Sequence, residues 1–272
     1  MKRIGIIGCG AIGSNLASTI DSTRMNAKLV SLFDTYTKAA NRLAKKLKTE
    51  VVVVKKIEEF LSSDMDLIVE SASQEAVRKY AKKVLEHDLD LMIMSVGALL
   101  NTRLYNGLVD IAAKHDVKIY IPTGAIAGID AIRSVKHMLD DVTLTTTKNP
   151  AGLEGAPFFD KHNIDLKKIK KPTLVYKGNA LEAVKLFPAN VNVAAVLSLA
   201  GIGPNKTQVR IVADPNSEMN LHEITARGKF GEMHFQIKNV PSPTNPKTSY
   251  LAALSAIECL RAICNNRVNI GT

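Results

Sequence analysis

The residues of this 272-residue chain best placed to do chemistry begin at its eighth position, in Gly8-Cys9-Gly10-Ala11-Ile12-Gly13, a GxGxxG turn. Gly8 permits the tight turn, Gly10 lets a pyrophosphate approach the backbone, and Gly13 lets a helix pack closely on a strand. The helix that opens at Ala11 and Ile12 offers unsatisfied N–H groups and the positive end of its dipole to phosphate. Asp34 follows about 20 residues on, where a carboxylate accepts hydrogen bonds from ribose hydroxyls and repels a 2′-phosphate. This spacing predicts a nicotinamide dinucleotide cofactor, NAD first. Thr35 and Lys38 beside the acid leave NADP as a second choice.

Three later segments are small and polar: Glu70-Ser71-Ala72-Ser73, Ser95-Val96-Gly97-Ala98 and Thr123-Gly124-Ala125. Each ends an apolar run, and ligands of open α/β sheets bind beyond the carboxyl ends of the strands. Ala72, Ser73, Ser95 and Val96 are therefore expected beside the cofactor.

Of the six histidines, His87 and His115 end charged helical stretches, where the helix dipole favours a cation. His137 and His162 lack an acidic partner of telling spacing. No HExxH or comparable pattern predicts a bound metal. His222 differs in setting. In Asn220-Leu221-His222-Glu223-Ile224 a strand turns its imidazole away from Leu221 and Glu223. A neutral histidine there could activate a water or hold a substrate carboxylate; the alternative is a half-exposed strand histidine. Cys9, Cys259 and Cys264 are too few and too scattered for a disulfide framework or a zinc knuckle, and are expected to be reduced thiols.

The elements that must position these residues alternate. Apolar runs at 3–8, 29–33, 51–54, 67–71, 91–96 and 117–121 read as strands, and 11–20, 38–47, 58–61, 74–86 and 104–115 as helices. That order predicts right-handed βαβ crossovers and a doubly wound parallel Rossmann sheet. Beyond Gly124 the pattern changes. Residues 129–139, 193–200 and 249–263 read as helices, and 142–147, 173–177, 208–213, 221–227 and 232–238 as strands. Strands succeeding strands predict an antiparallel sheet with helices on one face, a second α+β domain. The domains expected are 1–124 and 125–248, with 249–272 a C-terminal helix returning to the first.

The chain carries 36 Lys and Arg against 26 Asp and Glu, a net charge of +10, with 46% hydrophobic and 5% aromatic residues. Disorder and collagen-like structure are excluded. No run reaches the roughly 18 apolar residues of a membrane span. The basic start and short apolar run of the N-terminus lead into a glycine turn instead of a cleavage site, so a cytoplasmic enzyme is expected. The basic excess is spread along the chain without interleaved aromatics. It predicts a surface that favours small anionic ligands, with neither nucleic acid nor membrane as partner.

Laid out in order, IGIIGCGAIG (4–13), ESASQEAV (70–77), MSVGAL (94–99), TGAIAGIDAI (123–132), TTTKNP (145–150), FPANVNVAA (187–195), LHEI (221–224), RGKFGEM (227–233) and NPKTSYLAALS (245–255) span nearly the whole chain. With them the sequence closely resembles the L-aspartate dehydrogenases of the archaeal and bacterial type. The glycine turn is common to many dehydrogenases, whereas NVNVAA, LHEI and NPKTSYLAALS are much more specific. The resemblance implies a homodimer and a reversible NAD(P)-dependent oxidation of L-aspartate. Iminoaspartate, the first product, would hydrolyse to oxaloacetate and ammonia or feed a quinolinate-synthesis enzyme on the way to NAD. It also implies that His222 is the active-site histidine, acting as general base on the water that attacks the imine. Ala125, Asn190 and Asn192 would meet the nicotinamide side of the cofactor. A dianionic substrate needs cationic or N–H partners, for which Lys148, Asn149, Lys247 and Thr248 are candidates. The stretch 156–170 is longer and more charged than the family leads one to expect. Homoserine dehydrogenase, dihydrodipicolinate reductase and a non-catalytic NAD sensor are the competing readings; LHEI and NVNVAA argue against the first two.

Overall fold

Ile4, Ile6, Leu67, Ile68, Val69 and Met92 lie on short strands and are fully excluded from solvent, as in a sheet covered by helices on both faces. The structure is a computed structural model and describes residues 1–22, 25–188, 192–243 and 245–265, the last segment beginning with backbone only for 245–247. The chain divides into two compact units, Met1–Pro122 with residues 253–265, and Thr123–Ala252.

The first unit runs β1 (Lys2–Ile7), α1 (Ala11–Ser22), β2 (Ala27–Phe33), α2 (Thr37–Ala44), β3 (Val52–Val54), α3 (Ile57–Leu61), β4 (Leu67–Glu70), α4 (Gln74–Leu85), β5 (Asp90–Ile93), α5 (Thr102–His115) and β6 (Ile119–Tyr120). Its six strands lie in the order β3-β2-β1-β4-β5-β6, all parallel. The order reverses at β1, so the crevice between the turns after β1 and β4 is the topological switch point.

The second unit runs α6 (Ile129–Ser134), β7 (Leu139–Lys148), α7 (Pro157–His162), β8 (Thr173–Asn179), α8 (Ala180–Leu186), α9 (Asn192–Ala200), β9 (Gln208–Ala213), β10 (Asn220–Gly228), β11 (Gly231–Asn239), β12 (Pro241–Ser242) and β13 (Asn245–Ser249). The last helix, α10 (Tyr250–Asn265), sets Ala256, Leu260 and Cys264 into the core of the first unit.

Two expectations are corrected here. The helix expected over 129–139 ends at Ser134, and Leu139 already belongs to β7. Gly228 explains the close approach: a Cβ there would run into the Met138 carbonyl, which accepts from the Lys229 N–H at 2.9 Å. The second sheet, in the order β11-β10-β7-β9-β8, is mixed instead of antiparallel, because β7 and β9 pair in parallel. The chain between them carries α7, β8, α8 and α9 and returns β9 in the same direction, as a parallel pair requires.

Among the described residues no helix is long and apolar enough to cross a membrane. No group of three or more His, Cys, Asp or Glu side chains is placed to hold a metal ion.

Candidate active site

The glycine turn leaves β1 with Gly8 at φ +95°, a conformation that side chains rarely adopt. A Cβ on Gly13 would collide with the Gly8 carbonyl, so glycine is what lets α1 start against the strand. At Gly10 a Cβ would meet nothing within 4 Å, so this face of the turn is open to a ligand. Asp34, just after β2, braces the turn: its carboxylate accepts from the Cys9 N–H and the Tyr36 N–H, both at 2.8 Å. Each oxygen keeps a lone pair for a ribose hydroxyl. Beside it lies a cavity of about 190 Å³ lined by Gly8, Asp34, Thr35, Ala72, Ser73 and Lys79, among others. Ala11 and Ile12 begin α1, whose first N–H groups have no acceptor within the helix.

The segment opened by Glu70 is expected from the sequence on the cofactor side, but not the role of its buried carboxylate, which shapes this end of the sheet. Its carboxylate accepts from the Ala72 and Ser73 N–H groups at 2.8 and 2.9 Å, and from the Ser95 N–H and hydroxyl at 3.0 and 2.9 Å. Burial raises its pKa, and these four bonds oppose the rise. One carboxylate thereby ties together the turns after β4 and β5, with Val96 opening the 3₁₀ turn that follows Ser95. Next to Ser73, the side-chain nitrogen of Gln74 is buried with no hydrogen-bond partner among the described residues. An open glycine cradle and an acid beside a cavity fit a dinucleotide.

In the second unit the helix-covered face of the sheet is apolar except at one end. There, two cross-strand rows are polar: Thr146 of β7 beside His222 of β10, then Lys148 of β7, which ends level with Asn220 of β10 and Asn239 of β11. All five are buried. Thr146 Oγ1 lies 2.9 Å from His222 Nδ1. Burial, and secondarily the charge of Lys148, lowers the His222 pKa to about 3. The ring is therefore neutral at physiological pH. Burial also lowers Lys148 to about 8, so that it remains mostly cationic near neutrality. Asn220 donates to Ser249 Oγ at 3.1 Å, and Asn239 to the Ala125 carbonyl at 2.9 Å. The second bond fixes the loop that holds buried Ala125, which is also pinned where Gly128, at φ +76°, lies against the Phe235 ring.

The remaining candidates scatter. Asn149 spends its amide within the unit, donating to the Pro215 carbonyl at 3.1 Å and accepting from the Ala151 N–H at 3.1 Å. Asn192 begins α9, and Thr248 lies half-buried on β13. Asn190 lies outside the described residues, and Lys247 is described by its backbone alone. Thr146, Asn220 and Asn239 went unsingled in the sequence; the available signal was a polar residue at each inward position of a strand end.

Residues 130–263 match the family model described as "Aspartate dehydrogenase, C-terminal", and residues 8–122 match "Homoserine dehydrogenase, NAD binding domain". An L-aspartate dehydrogenase of Nitrosopumilus maritimus is 50% identical over 272 residues, covering all of both chains. The chain belongs to the aspartate dehydrogenase family. A second relative, the L-aspartate dehydrogenase of Methanosarcina mazei, is also 50% identical, over 273 residues and the whole of both chains. Among solved structures, the aspartate dehydrogenase of Thermotoga maritima is 26% identical with a TM-score of 0.74, covering 100% of this chain and 99% of that one. At the level of fold alone, a myo-inositol dehydrogenase from Lactobacillus casei in complex with NAD(H) and myo-inositol has a TM-score of 0.62 at 12% identity, covering 100% and 88%. With this family goes a Rossmann NAD-binding domain, the first unit.

Proposed function

We propose that this chain oxidises L-aspartate reversibly to oxaloacetate and ammonia through iminoaspartate. Full-length identity of 50% to relatives of that activity carries the reading. The bound dinucleotide supplies the acceptor for the hydride that leaves the aspartate α-carbon, and the Gly8–Gly13 turn, Asp34, Ala72, Ser73, Ser95 and Val96 are the residues to hold it. Ala125, Asn190 and Asn192 are assigned to its nicotinamide side on the family resemblance. NAD is the expected cofactor, because the Asp34 carboxylate would repel a 2′-phosphate.

In the second unit, Lys148 is the cation for a substrate carboxylate. Lys148 is a buried cation at the polar end of the sheet, and a charge-assisted contact from its ammonium to a carboxylate there would hold the lysine protonated. His222 is the catalytic residue, in contact with the oxygen that adds to the imine carbon and leaves it in reverse. Water adds across the C=N bond with one of its protons passing to nitrogen; the carbinolamine then collapses to the keto group as its hydroxyl proton follows, and ammonia departs. Lys247 and Thr248 complete the candidate substrate set. A homodimer, a cytoplasmic location and a downstream quinolinate-synthesis enzyme belong to this reading through the resemblance.

The experiment is NADH loss at 340 nm with oxaloacetate and ammonia, beside His222→Ala. Turnover requiring both substrates, at least roughly 100-fold slower in the variant, is expected for an acid–base or polarising group. Binding of NADH without turnover of any amino or keto acid would instead support a sensor.

A further inference from the structure

Thr146 is fully buried, on the same inward face of β7 as Val142 and Leu144. A valine would fill the same space, so the hydroxyl needs a reason of its own. Its oxygen faces Nδ1 of its cross-strand neighbour, His222, at 2.9 Å. Among the described residues it has no other hydrogen-bond partner. A hydroxyl and a neutral imidazole can pair in two ways. If Nδ1–H donates, the threonine proton is left buried with no acceptor. If the hydroxyl donates into the Nδ1 lone pair, both atoms of the contact are satisfied and the ring proton sits on Nε2, left for a ligand. Unpaired buried donors are costly, so the second arrangement wins.

We propose that Thr146 is a positioning residue that fixes the tautomer of His222, so that Nε2–H meets the substrate as a neutral hydrogen-bond donor. The inference rests on reading His222 as the group at the reacting carbon. It replaces the general-base role expected from the sequence, because an Nε2 that carries a proton has no lone pair to accept another. In the direction of amination, Nε2–H bonds to the keto oxygen and stabilises the negative charge that grows there as ammonia attacks. The ring begins and ends each turnover neutral and no proton leaves it. Lys148, the cation nearby, favours this constancy, since a second charge on the ring would be repelled.

The deciding measurement is the ¹⁵N NMR of the imidazole in the full-length protein, with the His222 signal assigned by its loss in His222→Gln. A protonated Nε2 and an unprotonated Nδ1 are expected. Thr146→Val should mix the tautomers and lower kcat by about tenfold, the value of one hydrogen bond, with little change in the KM for NADH. Thr146→Ser should restore both. His222→Gln, which keeps a donor but offers no base, should retain more activity than His222→Ala. A proton on Nδ1 in the unaltered protein, or full activity in Thr146→Val, overturns the tautomer assignment even where His222→Ala is inactive. Full activity in His222→Ala removes the underlying reading instead.

Discussion

Lys148 shows most directly how one buried charge bears on stability. Its folded pKa of about 8 lies below the ordinary 10.5 because burial opposes the charged form. Between those values the unfolded chain binds more protons than the folded one, so stability rises with pH across that window. At pH 7 the buried charge is a net cost, at most roughly 3 kcal/mol for a shift of this size. Lys148→Met keeps the volume and removes the charge. It should melt higher than the unaltered protein at pH 7, the difference shrinking as pH rises from about 8 and mostly gone by about pH 10, while the KM for oxaloacetate rises at least tenfold for want of a carboxylate partner. Thermal melts at the two pH values and initial rates at pH 7 check both halves. An unchanged KM would remove Lys148 from the substrate site. The sequence points to His222 by its strand setting, and to Lys148 as a cation for the dianionic substrate that the family resemblance implies. It could not reach Thr146, since three consecutive threonines at 145–147 look alike until pairing with β10 shows which one meets the histidine.

At the scale of elements, the first unit was legible because each strand is a short apolar run closed by glycine or a polar turn, and each helix shows its period. The second unit was less so. Helices α7 and α8 have six and seven residues, too few to display a period, and both begin at local caps, Pro157 and Asn179. The parallel pairing of β7 with β9 joins segments separated by three helices and a strand, which no local pattern encodes. The charged stretch at 156–170 contains an anchor of its own, with Phe158 stacked on Phe187 at 5.0 Å and on His162 at 4.2 Å. Glu70 is where element and site meet. Glu70→Ala would strand three N–H groups and a hydroxyl that now share one carboxylate. Allowing for relief of the buried charge, the loss should be roughly 2–4 kcal/mol, lowering Tm by about 5–10 °C for a chain of this size. With both turns assigned to the cofactor in the proposed function, NADH affinity by fluorescence titration should fall more than the KM for oxaloacetate rises. Equal losses in both would make Glu70 a purely structural residue.

For the whole molecule, the face of the second sheet turned away from α8 bears on assembly. Helix α8 packs on β8 and β9 along one face. The opposite face carries a row in register across all five strands, Leu174, Val212, Thr147, Leu221 and Lys238. Leu174 is 52% exposed, and Val212, Thr147 and Leu221 are half-buried. The next row is Arg210, Thr145, Glu223 and Gln236, of which Gln236 donates to Glu223 at 3.1 Å. Small threonines flanked by one apolar row give a flat surface with few side chains to desolvate, and flat sheet faces of this kind pack against one another at about 10 Å. We propose a second copy of this chain as the occupant, related by a two-fold axis, the commonest closed symmetry. Sedimentation equilibrium should give about twice 29.5 kDa. Thr145→Arg places a long cation near the centre of the face, opposite its own copy and beside Arg210, and should shift the mass to that of one chain with secondary structure unchanged by circular dichroism. A dimer that survives this substitution would put the interface elsewhere; a single-chain mass in the unaltered protein would end the proposal.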